Sequence, residues 1–240
     1  MRQKPNAQPN QSLIDGIATL QALAVSPDPV GNRELARQLG FNPTRVNRLL
    51  KTLAYLGIAR QTANRKYTAG PGMHVLAAQS LFASKIVQTA LPALEKLRRF
   101  HLTIALGVLW NDNVSYLFHA APGMDTSQGL GRIGLLPAST SGIGMALLAE
   151  QDDDHLAELF ADREIPGFPE GFGALMAAIA EVRTQGYARV SVGEADERHT
   201  VALPVSRPAF AAIGLSGWIP KENNEAILDA LKGAAAEIRD

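Results

Sequence analysis

The residues best suited to chemistry sit in motifs that each lack a partner. Gly129-Leu130-Gly131-Arg132-Ile133-Gly134 is a literal Gly-x-Gly-x-x-Gly. A dinucleotide site needs that run between a strand and a helix start, with an acidic residue closing the next strand. Here Pro137 follows quickly and Glu150 lies inside a helical pattern, so a flexible loop bordering a pocket is expected. Asp152-Asp153-Asp154-His155 offers metal-ligating atoms, but no second histidine is spaced to join it. Acidic side chains at a helix start are favoured by the macrodipole in any case. Glu194, Asp196, Glu197 and His199 could do acid–base work, yet they read as a surface loop between strands. Neither Gly-x-Ser-x-Gly nor His-Glu-x-x-His occurs. No catalytic residue, metal site or cofactor is expected. The absence of cysteine excludes disulfides and thiolate metal sites.

The charge distribution points to a different chemistry. The chain of 240 residues has zero net charge. Residues 1–72 hold ten Lys/Arg against Asp15, Asp28 and Glu34, leaving +7, and the remainder carries −7. Such asymmetry suits a polyanion partner for the basic part.

The elements around those cations are legible. Gln11 to Val25 reads as a helix through Leu13, Ile17, Leu20 and Ala24, and the prolines at 27 and 29 end it. Asn32 can cap the next helix, with Leu35, Ala36 and Leu39 on one face, and Gly40 stops it. Asn42 caps a third helix with Pro43 in its first turn and an apolar stripe of Val46, Leu49, Leu50, Leu53 and Leu56. Two short helices joined by Gly40-Phe41-Asn42 match a helix-turn-helix. The far face of the third helix presents Thr44, Arg45, Asn47, Arg48 and Lys51, groups able to reach base edges and phosphates in a major groove. A hairpin follows, with Asn64 suited to its turn and Arg60, Arg65 and Lys66 lining a wing.

Beyond Pro71 the pattern changes. Pro71 to Ser84 reads as a linking helix, and Ile86 to Phe100 as another, broken or started near Pro92. Leu102 to Trp110 and Val114 to Ala120 read as a hairpin about Asn111-Asp112-Asn113. Helices follow at Ser141 to Glu150 and Ala174 to Gln185, strands at Tyr187 to Val192, Thr200 to Val205 and Ala209 to Trp218, and a closing helix at Asn224 to Ile238. Helices around an antiparallel sheet give an α+β class.

These segments together resemble the IclR family of bacterial transcription regulators. The likeness rests on Glu34-Leu35-Ala36, Gly40-Phe41, Val46 to Leu53, and Tyr67-Thr68-Ala69-Gly70. It continues through Gly134, Pro137, Ser141 to Met145, Leu147-Leu148-Ala149, Arg183 to Tyr187 and Val201 to Val205, covering about residues 11–220. Departures are Ala69 for the usual Leu, Arg45 for a frequent Thr, Ser141 for Thr and Met145 for Lys. The resemblance implies a disordered tail over 1–10, a winged helix-turn-helix over 11–70, a linker helix over 71–85 and a GAF-like effector domain over 86–240. It also implies an effector held by Leu136, Ser141, Gly142 and Ile143 on one wall and Val190, Thr200, Gly214 and Ser216 on the other. The residue types suit that placement. Free N–H groups at Ser141 to Gly144 favour a carboxylate, glycines at 142 and 144 would admit a close ligand, and hydroxyls at 141, 200 and 216 can bond it. Arg132 is the one cation to watch near that wall.

The expected function is a ligand-responsive regulator that binds a double-stranded DNA operator as a homodimer or homotetramer, modulated by a small organic acid or aromatic effector. The alternative is a small-molecule enzyme with an accessory basic nucleic-acid-binding domain. No membrane segment is expected, and a cytoplasmic address fits the polar start of the chain.

Overall fold

The structure, a computed structural model, describes residues 8–131, 134–191, 198–205 and 209–238. The tail residues 1–7, Arg132, Ile133, Glu194, Asp196 and Glu197 therefore lie outside the described residues. The chain divides into two units between Lys85 and Ile86.

The first unit holds α1 (Gln11–Ala24), α2 (Asn32–Leu39), α3 (Pro43–Tyr55), β1 (Ala59–Gln61), β2 (Tyr67–Ala69) and α4 (Pro71–Ser84). Its core includes Leu23, Leu35, Ala36, Val46, Leu50, Ala59 and Tyr67, drawn from α1, α2, α3 and both strands. Asn10, expected in the tail, caps α1 by accepting from the Leu13 N–H at 3.1 Å. Asn42 caps α3 by accepting from the Thr44 N–H at 2.8 Å, with Pro43 next to it where no N–H is needed. Gly40 closes α2 at φ 67°, a left-handed turn that costs glycine little.

Several expectations fail here for physical reasons. α1 does not bury Leu13 and Ile17. It buries Asp15, Thr19, Ala22 and Leu23, and leaves Leu13, Ile14 and Ile17 exposed. The apolar period was real but belongs to the outer face. Leu56, the residue that caps the end of α3, is likewise exposed, well round the helix from the Val46–Leu50 face. Asn32 is the first residue of α2, behind Gly31 as the cap, so its side chain does no capping. The wing does turn at Asn64 as expected, and the left-handed residue there is its neighbour Arg65, at φ 58°. The turn closes between the Thr62 N–H and the Lys66 carbonyl at 2.8 Å, which sets that register.

The second unit holds α5 (Ile86–Lys96), β3 (Thr103–Trp110), β4 (Asn113–Ala120), α6 (Thr126–Gly129), β5 (Leu136–Pro137), α7 (Gly142–Leu148), α8 (Asp153–Phe160), α9 (Phe172–Gln185), β6 (Ala188–Ser191), β7 (Arg198–Val205), β8 (Ala211–Trp218) and α10 (Asn224–Glu237). The strands form one antiparallel sheet in the order β5-β4-β3-β8-β7-β6. Pro92 lies inside α5 without ending it.

Alternate residues of each strand divide the unit into two cores. Ile104, Leu106, Phe118, Val201, Leu203, Ile213 and Leu215 pack with α5 and α10. Ala105, Val114, Ala202 and Ala212 pack with α7, α8 and α9. A bulge at Leu117 breaks the β3–β4 register, so that Leu106 faces Phe118 while Gly107 faces Tyr116. The extra residue shifts the alternation and brings Tyr116 and His119 to the same face. A tie at the other face joins α5 to the segment after β4. Arg98 pairs with Glu95, donates to the Met124 carbonyl at 2.7 Å and reaches Thr126, which also donates to Glu95. The hydrogen bond from Arg98 holds the Glu95 carboxyl below the usual carboxylate range, against partial burial that pushes it up.

Candidate functional site

Two surfaces carry the polar residues singled out above. The first is α3. Val46 and Leu50 anchor its inner face at the centre of the core. Thr44, Arg48, Lys51 and Tyr55 then follow one another along the exposed side at helical spacing, with Asn47 half-buried beside them. Tyr55 is 89% exposed and was not anticipated. Its position at the last turn of a leucine-rich helix looks apolar in sequence, but the stripe it continues is the polar one. On the wing Arg60, Arg65 and Lys66 are all exposed.

Arg45 departs from this set. It lies one step round the helix from Thr44, and its guanidinium pairs with Asp15 of α1. It also stands over the Phe41 ring, with 5.7 Å from the guanidinium carbon to the ring centre.

The second surface is the α7 face of the sheet. α7 is buried along its whole length. Ser141 caps it, its Oγ accepting from the Gly144 N–H at 3.2 Å and bonding the Tyr116 hydroxyl at 2.8 Å. Thr200 donates to the Ser216 hydroxyl at 2.9 Å across the β7–β8 ladder. The Tyr116 and His119 rings meet edge to face, 5.5 Å between centres. Burial raises the Tyr116 phenol above its ordinary range, and the Ser141 bond works the other way.

The first turn of α7 lies directly on Thr200. A methyl group added at Gly142 would stand 2.6 Å from Thr200 Cγ2. One added at Gly144 would stand 2.1 Å from the Ala138 carbonyl oxygen. These glycines are therefore required by contacts within the protein, where close approach of a ligand was the expectation. Ser141, Gly142, Ile143, Thr200, Gly214 and Ser216 do come together, since Ile143 Cδ1 also lies within 3.2 Å of the position a Gly214 side chain would take. Leu136 stands apart on the edge strand β5, opposite Val114 and 41% exposed. Val190 pairs with Thr200 and lines a cavity of about 480 Å³ with Thr140, Met145, Phe168, Val182 and Arg189. Tyr116 and His119 were missed in sequence because only the bulge at Leu117 places them together.

Of the glycine-rich run, Arg132 and Ile133 lie outside the described residues. Gly129 ends the short helix α6, and Leu130 bridges to Phe118. Asp152 and its neighbours start α8, and among the described residues no cluster of three metal-ligating side chains forms. Among the described residues no helix is long and apolar enough to cross a membrane.

A winged helix-turn-helix with a cationic outer face, followed by a curled antiparallel sheet with hydroxyls grouped at the start of α7, has the architecture of a DNA-binding transcription regulator with an effector-binding domain. Comparison with known proteins narrows the class. The profile described as "IclR helix-turn-helix domain" matches residues 13–63, and "Bacterial transcriptional regulator IclR C-terminal" matches residues 78–239. The chain belongs to the IclR family of bacterial transcription regulators. It is 28% identical over 217 residues to the HTH-type transcriptional regulator KdgR of Escherichia coli, covering 87% of this chain and 82% of that protein. The crystal structure of an IclR family regulator from Brucella abortus superposes with a TM-score of 0.78 at 24% identity, covering 99% of this chain and 94% of the other. An IclR homologue from Microbacterium hydrocarbonoxydans, solved with 4-hydroxybenzoate, superposes with a TM-score of 0.68 at 20% identity, covering 95% and 98%. At those identities the two structures speak to the fold.

Proposed function

We propose that α3 enters the major groove of an operator, with Thr44, Asn47 and Arg48 at base edges and Lys51, Arg60, Arg65 and Lys66 near phosphates. The observation that carries this reading is the exposed polar stripe of α3 set beside a cationic wing in one compact unit. Arg48→Ala is expected to cost about 1–3 kcal/mol on a duplex selected by the protein and much less on random DNA. Lys66→Ala is expected to weaken both alike and to lower the slope of log K against log salt by about one. Equal effects of the two variants on both duplexes would refute the assignment.

The effector reading rests on the hydroxyls around the first turn of α7. Ser141, Thr200 and Ser216, with Tyr116 and His119 beside them, suit a small neutral-to-acidic molecule with an apolar body seated against Ile143 and Val190. The 4-hydroxybenzoate of the Microbacterium homologue has that chemistry, a ring with a phenol and a carboxylate. The ligand acts by favouring one arrangement of the protein over another. The family supports a regulator over an enzyme, and a regulator of this kind works in the cytoplasm.

The assembly is a homodimer at least. One winged helix covers one half-site, and a two-fold pair reads a palindrome. The first unit has the surface for it. Leu13, Ile14 and Ile17 of α1 are exposed, and α4 buries none of its residues while showing Val75, Leu76, Leu81 and Phe82. Apolar side chains gathered to that extent on one small unit mark an association surface. Light scattering at micromolar concentration is expected to give twice the 25.6 kDa chain mass or a higher even multiple, and the chain mass alone would overturn it.

A further inference from the structure

We propose that Arg45 positions the recognition helix and does not read a base, because it is the counter-ion of a buried carboxylate in α1. This rests on the reading of α3 as the DNA-binding helix. Asp15 is 1% exposed. Its Oδ1 accepts a hydrogen bond from Gln11 Nε2 at 2.9 Å. Its Oδ2 has the Arg45 guanidinium beside it, and no other described residue bonds it. A carboxylate taken out of water is costly unless a positive group stands against it. Arg45 is that group.

The geometry leaves Arg45 little freedom to do more. Its guanidinium pairs with Asp15 and stands over the Phe41 ring, which belongs to the turn ahead of α3. Reading a guanine takes two guanidinium nitrogens aligned with one base edge. Here Nη2 is committed to α1. Swinging the side chain into a groove would strand the Asp15 charge in the interior. The pair instead fixes the angle at which α3 leaves α1, and that angle decides whether Thr44 and Arg48 meet a base. Asp15 is thus a determinant of DNA binding although it is buried beneath the DNA-facing surface.

The test uses the full-length protein and a duplex selected by it from a randomised library. Arg45→Met is expected to lower the unfolding temperature and weaken binding to the selected duplex about tenfold, since it leaves Asp15 unpaired. Adding Asp15→Asn removes the stranded charge. The double variant is expected to recover both quantities, to within about threefold in affinity, and to keep the wild-type base preference at every position. Loss of preference by about tenfold at one base pair in the double variant, with the others intact, would show that Arg45 reads that base and overturn the proposal. Additive shifts in unfolding temperature would overturn it too, because uncoupled residues do not form the pair. A wild-type protein with no sequence preference, matched by Arg48→Ala, would instead remove the DNA-binding reading of α3 on which the proposal stands.

Discussion

Gly144→Ala is expected to destabilise the second unit by about 3 kcal/mol or more, the largest effect of any single methyl group in that unit. The new Cβ would stand 2.1 Å from the Ala138 oxygen, 2.4 Å from its Cα and 2.6 Å from its carbonyl carbon. All three are backbone atoms, so no side chain can rotate away. The turn containing Ala138 would have to move, and Ser141 with it. Two other glycines serve as controls. Gly134 has nothing within 4 Å of a built Cβ, and its replacement by alanine should be close to neutral. Gly173 lies in α9 with open space around it, and alanine there should add roughly 0.5–1 kcal/mol through helix propensity. Denaturant unfolding of the three variants measures all of this. A Gly144→Ala protein that unfolds with the wild type would mean that Ala138 does not stand where it is described.

The second large effect is in the DNA-binding unit. Leu50→Ala is expected to cost about 2–5 kcal/mol, the usual range for emptying a leucine site in a tight core. Leu50 is fully buried at the point where α3 meets the other helices, and the core around it is small. A unit of that size has little stability in reserve. The expected result is a protein that no longer binds DNA while the second unit keeps its own unfolding transition. Calorimetry separates the two. A single transition, shifted as a whole, would show that the two cores unfold together.

Much of this architecture is readable before any coordinates. The caps at Asn42 and Gly40, the proline at the start of α3 and the fourteen residues of α4 follow from local chemistry, and local chemistry is what sequence encodes most directly. The helix-turn-helix and the antiparallel sheet follow in turn. What could not be read was which face of α1 turns inward. A leucine period marks an apolar face without saying whether the chain's own core or another surface covers it. A buried acid at position 15 becomes sensible only once Arg45 is known to reach it. The site had the same limit. Ser141, Thr200 and Ser216 are visible as hydroxyls in sequence, but Tyr116 and His119 share a face only through one inserted residue at Leu117. Simple alternation would have set them on opposite sides. The glycines of α7 misled for a related reason. A missing side chain signals a close approach, but not what approaches.

The seating of α7 governs how a disturbance would travel. At its start, Ser141 is bonded to Tyr116 of β4. Just past its end, Arg183 of α9 donates to the Ala149 carbonyl at 2.9 Å and the Gln151 carbonyl at 2.6 Å, and reaches Asp153 at 2.7 Å. Every residue between is packed. A body clamped at both ends and close-packed along its length has no slack in which to dissipate a push. A molecule that displaces Ser141 by a fraction of an ångström therefore cannot be accommodated by bending α7. A push at Ser141 is expected to reach β4 at one end of α7 and α9 at the other.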